Sequence, residues 1–225
     1  MLHFIVLIFG FTGILGKLIS LEAERLVFWR VFLGGGLVAF WLLFRRKTER
    51  FPWKVWVKVA LVGCAAAAHW IAFFGSIKAS NVSVALATLA TTPVFVSVLE
   101  PLVHRRKMDW RELLLGGVII VGLLVLLWGP SEGDFALTSD QYYRGIGLAL
   151  ISAALAAVFS IFNSVLVRTY DSSNLTRVEL LSAAGVLAVL FLVDGRGRAL
   201  EFWAIPKEDW LWLALLACCN RLPML

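Results

Sequence analysis

Apolar stretches follow one another from Leu2 to Cys219, and Lys and Arg crowd into every second polar gap between them. Seven stretches approach or reach the roughly 20 mostly apolar residues that a helix needs to cross the hydrocarbon. They are 2–19, 26–44, 55–77, 82–98, 113–128, 146–167 and 178–193, and each is predicted to be a transmembrane helix. An eighth stretch, 210–219, is interrupted by Asn220, Arg221 and Pro223. It is too short to span a bilayer as a helix and is expected to be the truncated or frameshifted end of a further span.

The basic residues set the orientation, because Lys and Arg accumulate in cytoplasmic loops. Arg45, Arg46, Lys47, Arg50, Lys54 and Lys58 surround the second gap, Arg105, Arg106, Lys107 and Arg111 the fourth, and Arg168 and Arg177 the sixth. The fifth gap, 129–143, carries Glu132, Asp134 and Asp140 and no Lys or Arg. The even gaps and the N-terminus are therefore expected in the cytoplasm. In the seventh gap the segment 199–205, with Phe202 and Trp203, is expected to lie flat on the outer interface. Most Trp residues fall near predicted span ends, as amphipathic indoles do at headgroup depth. Trp70, inside the third span, is the exception.

Composition agrees. Hydrophobic residues make up 60% of the 225 and charged ones 16%, against about 25% charged in a soluble domain. Mean hydropathy is +0.86. The net charge of +6 is then topological, and nucleic acid is excluded as a partner because the basic residues sit in short loops on one side of a membrane. Cys64, Cys218 and Cys219 have neither metal-ligand spacing nor the makings of a disulfide framework. No cofactor or metal set is read from the chain. Phosphate loops, HExxH and GxSxG are absent as well, so an enzyme has no residues to rest on.

Gly34-Gly35-Gly36-Leu37-Val38-Ala39 in the second span is echoed by Ala183-Ala184-Gly185-Val186-Leu187-Ala188 in the seventh. Runs of small residues are common where membrane helices pack closely. Read as a repeat, they fix a geometry. Five spans precede the acidic loop, an odd number, so a second copy must enter the membrane from the other side, inverted about an axis in the membrane plane.

Polar residues within spans are the candidate site. In the fourth span Pro93 removes an amide donor and disturbs the carbonyl of Leu89. Thr88 and Thr92, four apart, share a face there, either lining a cavity or capping their own backbone. His69 and Trp70 follow four alanines in the third span, and an ionisable residue inside a membrane is a functional candidate. Thr12 and Lys17 lie in the first span, where Gly10, Gly13 and Gly16 read as a packing face. Arg30 lies about one turn inside the second span, within reach of Glu24, the interface or a cavity. Ser160, Asn163 and Ser164 share a face of the sixth span. Glu100 and Glu179 both lie near cytoplasmic ends, where hydration is expected to be easy, so no mid-span carboxylate is anticipated. His69 is left as the one in-span candidate for a proton carrier.

These residues resemble EamA-type transporters of the drug/metabolite transporter superfamily. The likeness rests on 4–19 with its Gly-Phe-Thr-Gly, on Phe28-Trp29-Arg30-Val31-Phe32-Leu33, on 79–101 with its Thr-Thr-Pro-Val-Phe centre, and on Gly116-Gly117-Val118-Ile119-Ile120-Val121-Gly122. It implies an all-α integral membrane protein, a multi-span helical bundle of two inverted five-span halves, here without its last spans. Residues 1–128 would form the first repeat, 129–144 the external acidic loop and 145–225 an incomplete second repeat. The family's Glu-Arg pair between the fourth and fifth spans is replaced by His104-Arg105-Arg106. The implied activity is secondary transport, as an exporter, of small organic solutes such as amino acids, metabolites or drugs by alternating access. A non-transporting membrane scaffold or truncated pseudo-transporter is the competing class.

The candidate substrate-binding residues are Thr12, Lys17, Arg30, His69, Trp70, Thr88, Thr92, Pro93, Ser160 and Asn163. Lys17, Arg30 and His69, taken without mid-span carboxylates, favour an anionic or zwitterionic solute. The expected partners are the lipid bilayer of the plasma or inner membrane, that solute and a second copy of the chain.

Overall fold

The computed structural model describes residues 2–128 and 139–219. The loop residues Glu132 and Asp134, and Asn220, Arg221 and Pro223, lie outside them. Every regular element among the described residues is helical: α1 (Leu2–Leu18), α2 (Ala23–Phe44), α3 (Trp53–Ala79), α4 (Val82–Leu89), α5 (Thr92–His104), α6 (Trp110–Trp128), α7 (Ser139–Leu166), α8 (Ser172–Val193), a 3-10 turn (Arg196–Arg198), α9 (Leu200–Trp203) and α10 (Asp209–Cys219). Ala23–Phe44, Trp53–Ala79, Val82–His104, Asp140–Leu166 and Ser172–Val193 are long and apolar enough to cross a membrane. The other two predicted spans coincide with α1 and α6. Leu114, Leu115, Val118, Val121, Leu124 and Val125 of α6 are all exposed. So are Leu37, Phe40, Leu43 and Phe44 of α2, surface that only lipid solvates well.

The chain divides into two compact units, Met1–Ala67 with Asn163–Leu225, and Ala68–Phe162. In the first, α2 and α8 pack as an antiparallel pair. Lys47 and Glu49, after α2, are bound by the head of α8: Asn174 Nδ2 donates to the Lys47 carbonyl at 2.9 Å and Asn174 Oδ1 accepts from Glu49 N at 3.0 Å. Asp171 caps that helix start by accepting from Asn174 N at 3.0 Å. At the opposite end Arg196, just past α8, pairs with Glu24 of α2 at 2.6 Å and with Asp194 at 2.8 Å. Asp194 is held below the usual carboxylate range, first by the Arg196 backbone amide and then by its guanidinium.

Close approach in this unit depends on glycine. A Cβ at Gly35 would press on the side chains of Leu180 and Leu181 at 3.1 Å. At Gly63 of α3 it would lie 2.6 Å from Glu179 Cα and collide with that residue's carbonyl oxygen. One turn away, Val59 packs on Leu175 and Val178. The segment expected to lie flat on the interface is docked on its own chain. Trp203 stacks edge-on against Phe28 at 5.0 Å, and its Nε1 donates to the Gly197 carbonyl at 2.8 Å. Phe202 meets Phe191 at 5.0 Å. The short α10 is docked too. Leu213, Leu216 and Ala217 are buried, and Asp209 accepts from Ser20 N at 3.1 Å and from Ser20 Oγ at 2.7 Å.

In the second unit the later half of α3 runs antiparallel to the early half of α7 along small residues. Ser76 Oγ donates to the Gly145 carbonyl at 2.7 Å, and Gly145 admits no Cβ because the Ser80 side chain fills the space. Small side chains bring the two backbones together, the usual basis of tight membrane-helix packing.

Candidate functional site

α2 and α8 have the same length and align without a gap when Gly36 is set on Gly185. Burial then agrees position by position from Arg30–Phe44 against Glu179–Val193, except that Trp41 is half-buried and Leu190 exposed. This alignment places Arg30 on Glu179. Arg30 is 4% exposed and Glu179 6%, so each helix of the antiparallel pair buries one ionisable residue, basic in α2 and acidic in α8, at the same step. The expectation that Glu179 is hydrated near a helix end is therefore corrected. Glu179 lies eight positions past its N-cap, about 12 Å along the helix, and α3 closes over it at Gly63. Its Oε1 is buried and has no hydrogen-bond partner among the described residues. Glu24, one partner considered for Arg30, is engaged by Arg196.

In the second unit His69 is buried in the α3–α7 seam. Its Nδ1 lies 2.9 Å from both the Ser152 carbonyl and Ser152 Oγ. A carbonyl only accepts, so the contact with it assigns the proton to Nδ1. Phe73 stacks on the imidazole at 6.4 Å, and half-buried Trp70 is tilted at the same distance.

The fourth predicted span is two helices rather than one kinked helix. α4 ends at Leu89 and α5 begins at Thr92, which puts Pro93 in a first turn, where a missing amide costs nothing. The hydroxyls serve the break. Thr92 Oγ1 donates to the Leu89 carbonyl at 2.7 Å, the acceptor that Pro93 cannot reach, and Thr91 Oγ1 donates to the Thr88 carbonyl at 2.7 Å. The break also separates Thr88 from Thr92. Thr88 is fully buried, with Oγ1 lacking a hydrogen-bond partner among the described residues. Thr92 and Pro93 instead open a groove of about 450 Å³ between α5 and α6, which continues past Ser97 to Glu100 and Glu112. At that end Arg106 binds Glu100 and Glu112, each at 3.0 Å. Hydrogen bonds to Glu112 and then Glu100 raise the guanidinium above its ordinary pKa. The acid–base pairing of this turn thus comes from the helices flanking it.

The remaining candidates are dispersed. Thr12 is buried in α1 and Lys17 is exposed at its end. Ser160 is exposed on α7, while Asn163 is half-buried with Oδ1 lacking a hydrogen-bond partner among the described residues. Thr12, Lys17, Arg30 and Asn163 belong to the first unit, and His69, Trp70, Thr88, Thr92, Pro93 and Ser160 to the second.

The model of the EamA-like transporter family matches residues 1–128, more than half of the chain. The chain belongs to the EamA-like transporter family. It is similar to a Bacillus subtilis (strain 168) protein named "Uncharacterized transporter YxxF", with 26% identity over 188 residues, 82% of this chain and 58% of that relative. The chain therefore spans under two thirds of the relative's length. No solved structure matches it. Family and helices together make this a multi-pass membrane protein in contact with the bilayer.

Within this EamA-like chain, sequence reasoning missed Glu179, Ser152 and Asn174. Glu179 was legible in principle. Setting Gly36 on Gly185 already makes it the equivalent of Arg30, and only its nearness to a span end argued for hydration. Ser152 and Asn174 owe their roles to partners far along the chain, Ser152 to His69 and Asn174 to Lys47 and Glu49, which no local pattern announces.

Proposed function

We propose that the EamA-like protein to which this chain belongs is a secondary transporter, an exporter of small organic solutes, working by alternating access. Its N-terminus is cytoplasmic, its halves are inverted five-span repeats divided at the 129–144 loop, and this chain carries the first repeat and part of the second. The observation that carries this reading is the α2–α8 pair: equal length, antiparallel course, matched burial and one buried ionisable residue each. Inverted repeats that meet through equivalent helices are the frame on which many transporters rock.

Amino acids, metabolites and drugs are the solute classes the family suggests. Arg30 favours a solute with a carboxylate. Thr88 and Asn163, whose Oγ1 and Oδ1 are buried without a hydrogen-bond partner among the described residues, are the best supported neutral contacts. His69, Trp70, Thr92, Pro93, Thr12, Lys17 and Ser160 complete the proposed set.

The test is counterflow in proteoliposomes containing the full-length protein, loaded with a panel of amino acids and organic acids. Saturable exchange of at least one compound, lost in Arg30→Gln, is the expected result. Absence of flux for the whole panel favours the scaffold reading. Reporter fusions at Glu49 and Lys107 should read cytoplasmic and one at Asp134 external; a cytoplasmic signal at Asp134 overturns the orientation and the inverted repeat with it.

A further inference from the structure

Glu179 has the surroundings of a functional group and no part in the solute contacts proposed above. It is flanked by two glycine contacts: Gly63 of α3 against its own backbone, and Gly35 of α2 against the side chains of the next residues, Leu180 and Leu181. A turn nearer the helix start, Val59, Leu175 and Val178 form an apolar cluster flanked by Phe51, Val55, Leu166 and Tyr170. Oε1 has no hydrogen-bond partner among the described residues. The charged or titratable groups on the elements packed around it are Glu24, Arg25 and Arg30 on α2, Lys54, Lys58, Cys64, His69 and Lys78 on α3, Arg177 on α8 itself, and Tyr170. With Gly35 level with Leu180, Arg30 is about 9 Å away along the helix axes.

An ionised carboxylate is costly in such surroundings, and its neutral form is the acid. A carboxylate present only for structure would be expected to find a cation, as Glu100 finds Arg106. We propose that Glu179 is a proton-binding site in the membrane interior, loaded and emptied as the α3–α8 seam at Gly63 closes and parts. The step is a proton transfer alone. A proton leaves hydronium, an O–H bond forms on the carboxylate, and the reverse returns the proton to water. Loading removes the negative charge facing Arg30, so the potential around the α2–α8 pair becomes more positive. A solute held through Arg30 then binds better with the proton in place and, by linkage, strengthens proton binding. This last consequence rests on the transporter reading; the proton site does not.

The test uses the full-length protein in lipid nanodiscs and dicyclohexylcarbodiimide, which modifies protonated carboxyls in apolar surroundings. Mass spectrometry follows modification of Glu179, with Glu100 and Glu112 as internal references. Glu179 is expected to react at least about tenfold faster at mildly acidic than at alkaline pH, the change one pH unit of titration produces, while the references stay slow. Infrared pH-difference spectra should show an acid carbonyl band that is missing in Glu179→Gln. Modification of Glu179 no faster than Glu100 at every pH, or a band unchanged in Glu179→Gln, overturns the proposal. The wild-type labelling stands even where the variant fails to fold. Labelling without any solute flux keeps the proton site and sinks the transporter reading. Flux whose pH dependence is identical in wild type and Glu179→Gln sinks the coupling.

Discussion

Glu100 and Glu179 occupy similar positions in their segments, each about two turns or less from one end, and they end in opposite surroundings. Glu100 stands at the mouth of the α5–α6 groove, a third exposed, and shares Arg106 with Glu112. Glu179 is sealed between α2 and α3, with an oxygen that no described residue satisfies. Distance from the end of a span does not decide whether a carboxylate is wet. The neighbours do, and here the neighbours are glycines. Gly35 and Gly63 draw two backbones onto α8, whereas α5 and α6 leave room between them.

The sharpest way to break this comparison is at the glycines. Gly63→Ala forces a methyl into the Glu179 carbonyl, a backbone atom that cannot swing aside. It should cost about 3 kcal/mol, the upper part of the usual overpacking range, and shift thermal unfolding in detergent accordingly. Gly117, in α6 near Glu112, has open space where its Cβ would go, and Gly117→Ala should leave stability unchanged or slightly higher, since Ala is the better helix former. Equal losses in the two variants would mean that the α3–α8 seam is not the tight contact described here.

Much of the architecture was legible beforehand, because a membrane helix must announce itself as an apolar run. All seven predicted stretches are helices. The small-residue echo between Gly34 and Ala39 and between Ala183 and Ala188 lies on the two helices that pack against each other. What stayed hidden depended on contacts distant in sequence. Nothing around residue 179 tells that Gly63 will cover it, and nothing around Trp203 tells that Phe28 will receive it. The break at Ala90 was half legible. Pro93 gave it away, but whether the hydroxyls would face a cavity or repair the backbone was decided by geometry at Leu89.

That repair gives the next prediction, in the more open of the two regions. Thr92→Val leaves the half-buried Leu89 carbonyl without its 2.7 Å donor and should cost about 1 kcal/mol, the lower end of the penalty for an unsatisfied acceptor. Thr92→Ser keeps the hydroxyl and should recover most of the loss. Thr88→Val removes an oxygen with no hydrogen-bond partner among the described residues and should be neutral or stabilising. If Thr88→Val destabilises more than Thr92→Val, Thr88 has a partner that this arrangement does not reveal.

Asp194 tests the Arg196 end of the α2–α8 pair through pH. Its folded pKa lies below the unfolded value, with the Arg196 amide as the main cause. Its contribution to stability is therefore complete above the ordinary carboxylate range and is lost as pH falls through the folded pKa. Asp194→Asn should be slightly less stable than wild type near neutral pH, and the two should converge in acid. A gap that widens in acid would reverse the assignment.

The smallest effect is expected at Arg106, the cation that distinguishes Glu100 from Glu179. Both of its ion pairs are about a third exposed, and exposed pairs contribute little and are screened by salt. The raised guanidinium pKa keeps Arg106 charged at any working pH, so salt is the lever here rather than alkali. Arg106→Gln should lower the unfolding temperature slightly in dilute buffer, and the difference should fade as salt is added. Glu179→Gln, read in the same titration, should give a difference from wild type that salt does not change, since mobile ions do not reach a group sealed between helices. Should the two variants respond alike to salt, Glu179 is as accessible to solvent as Glu100, and the contrast between them disappears.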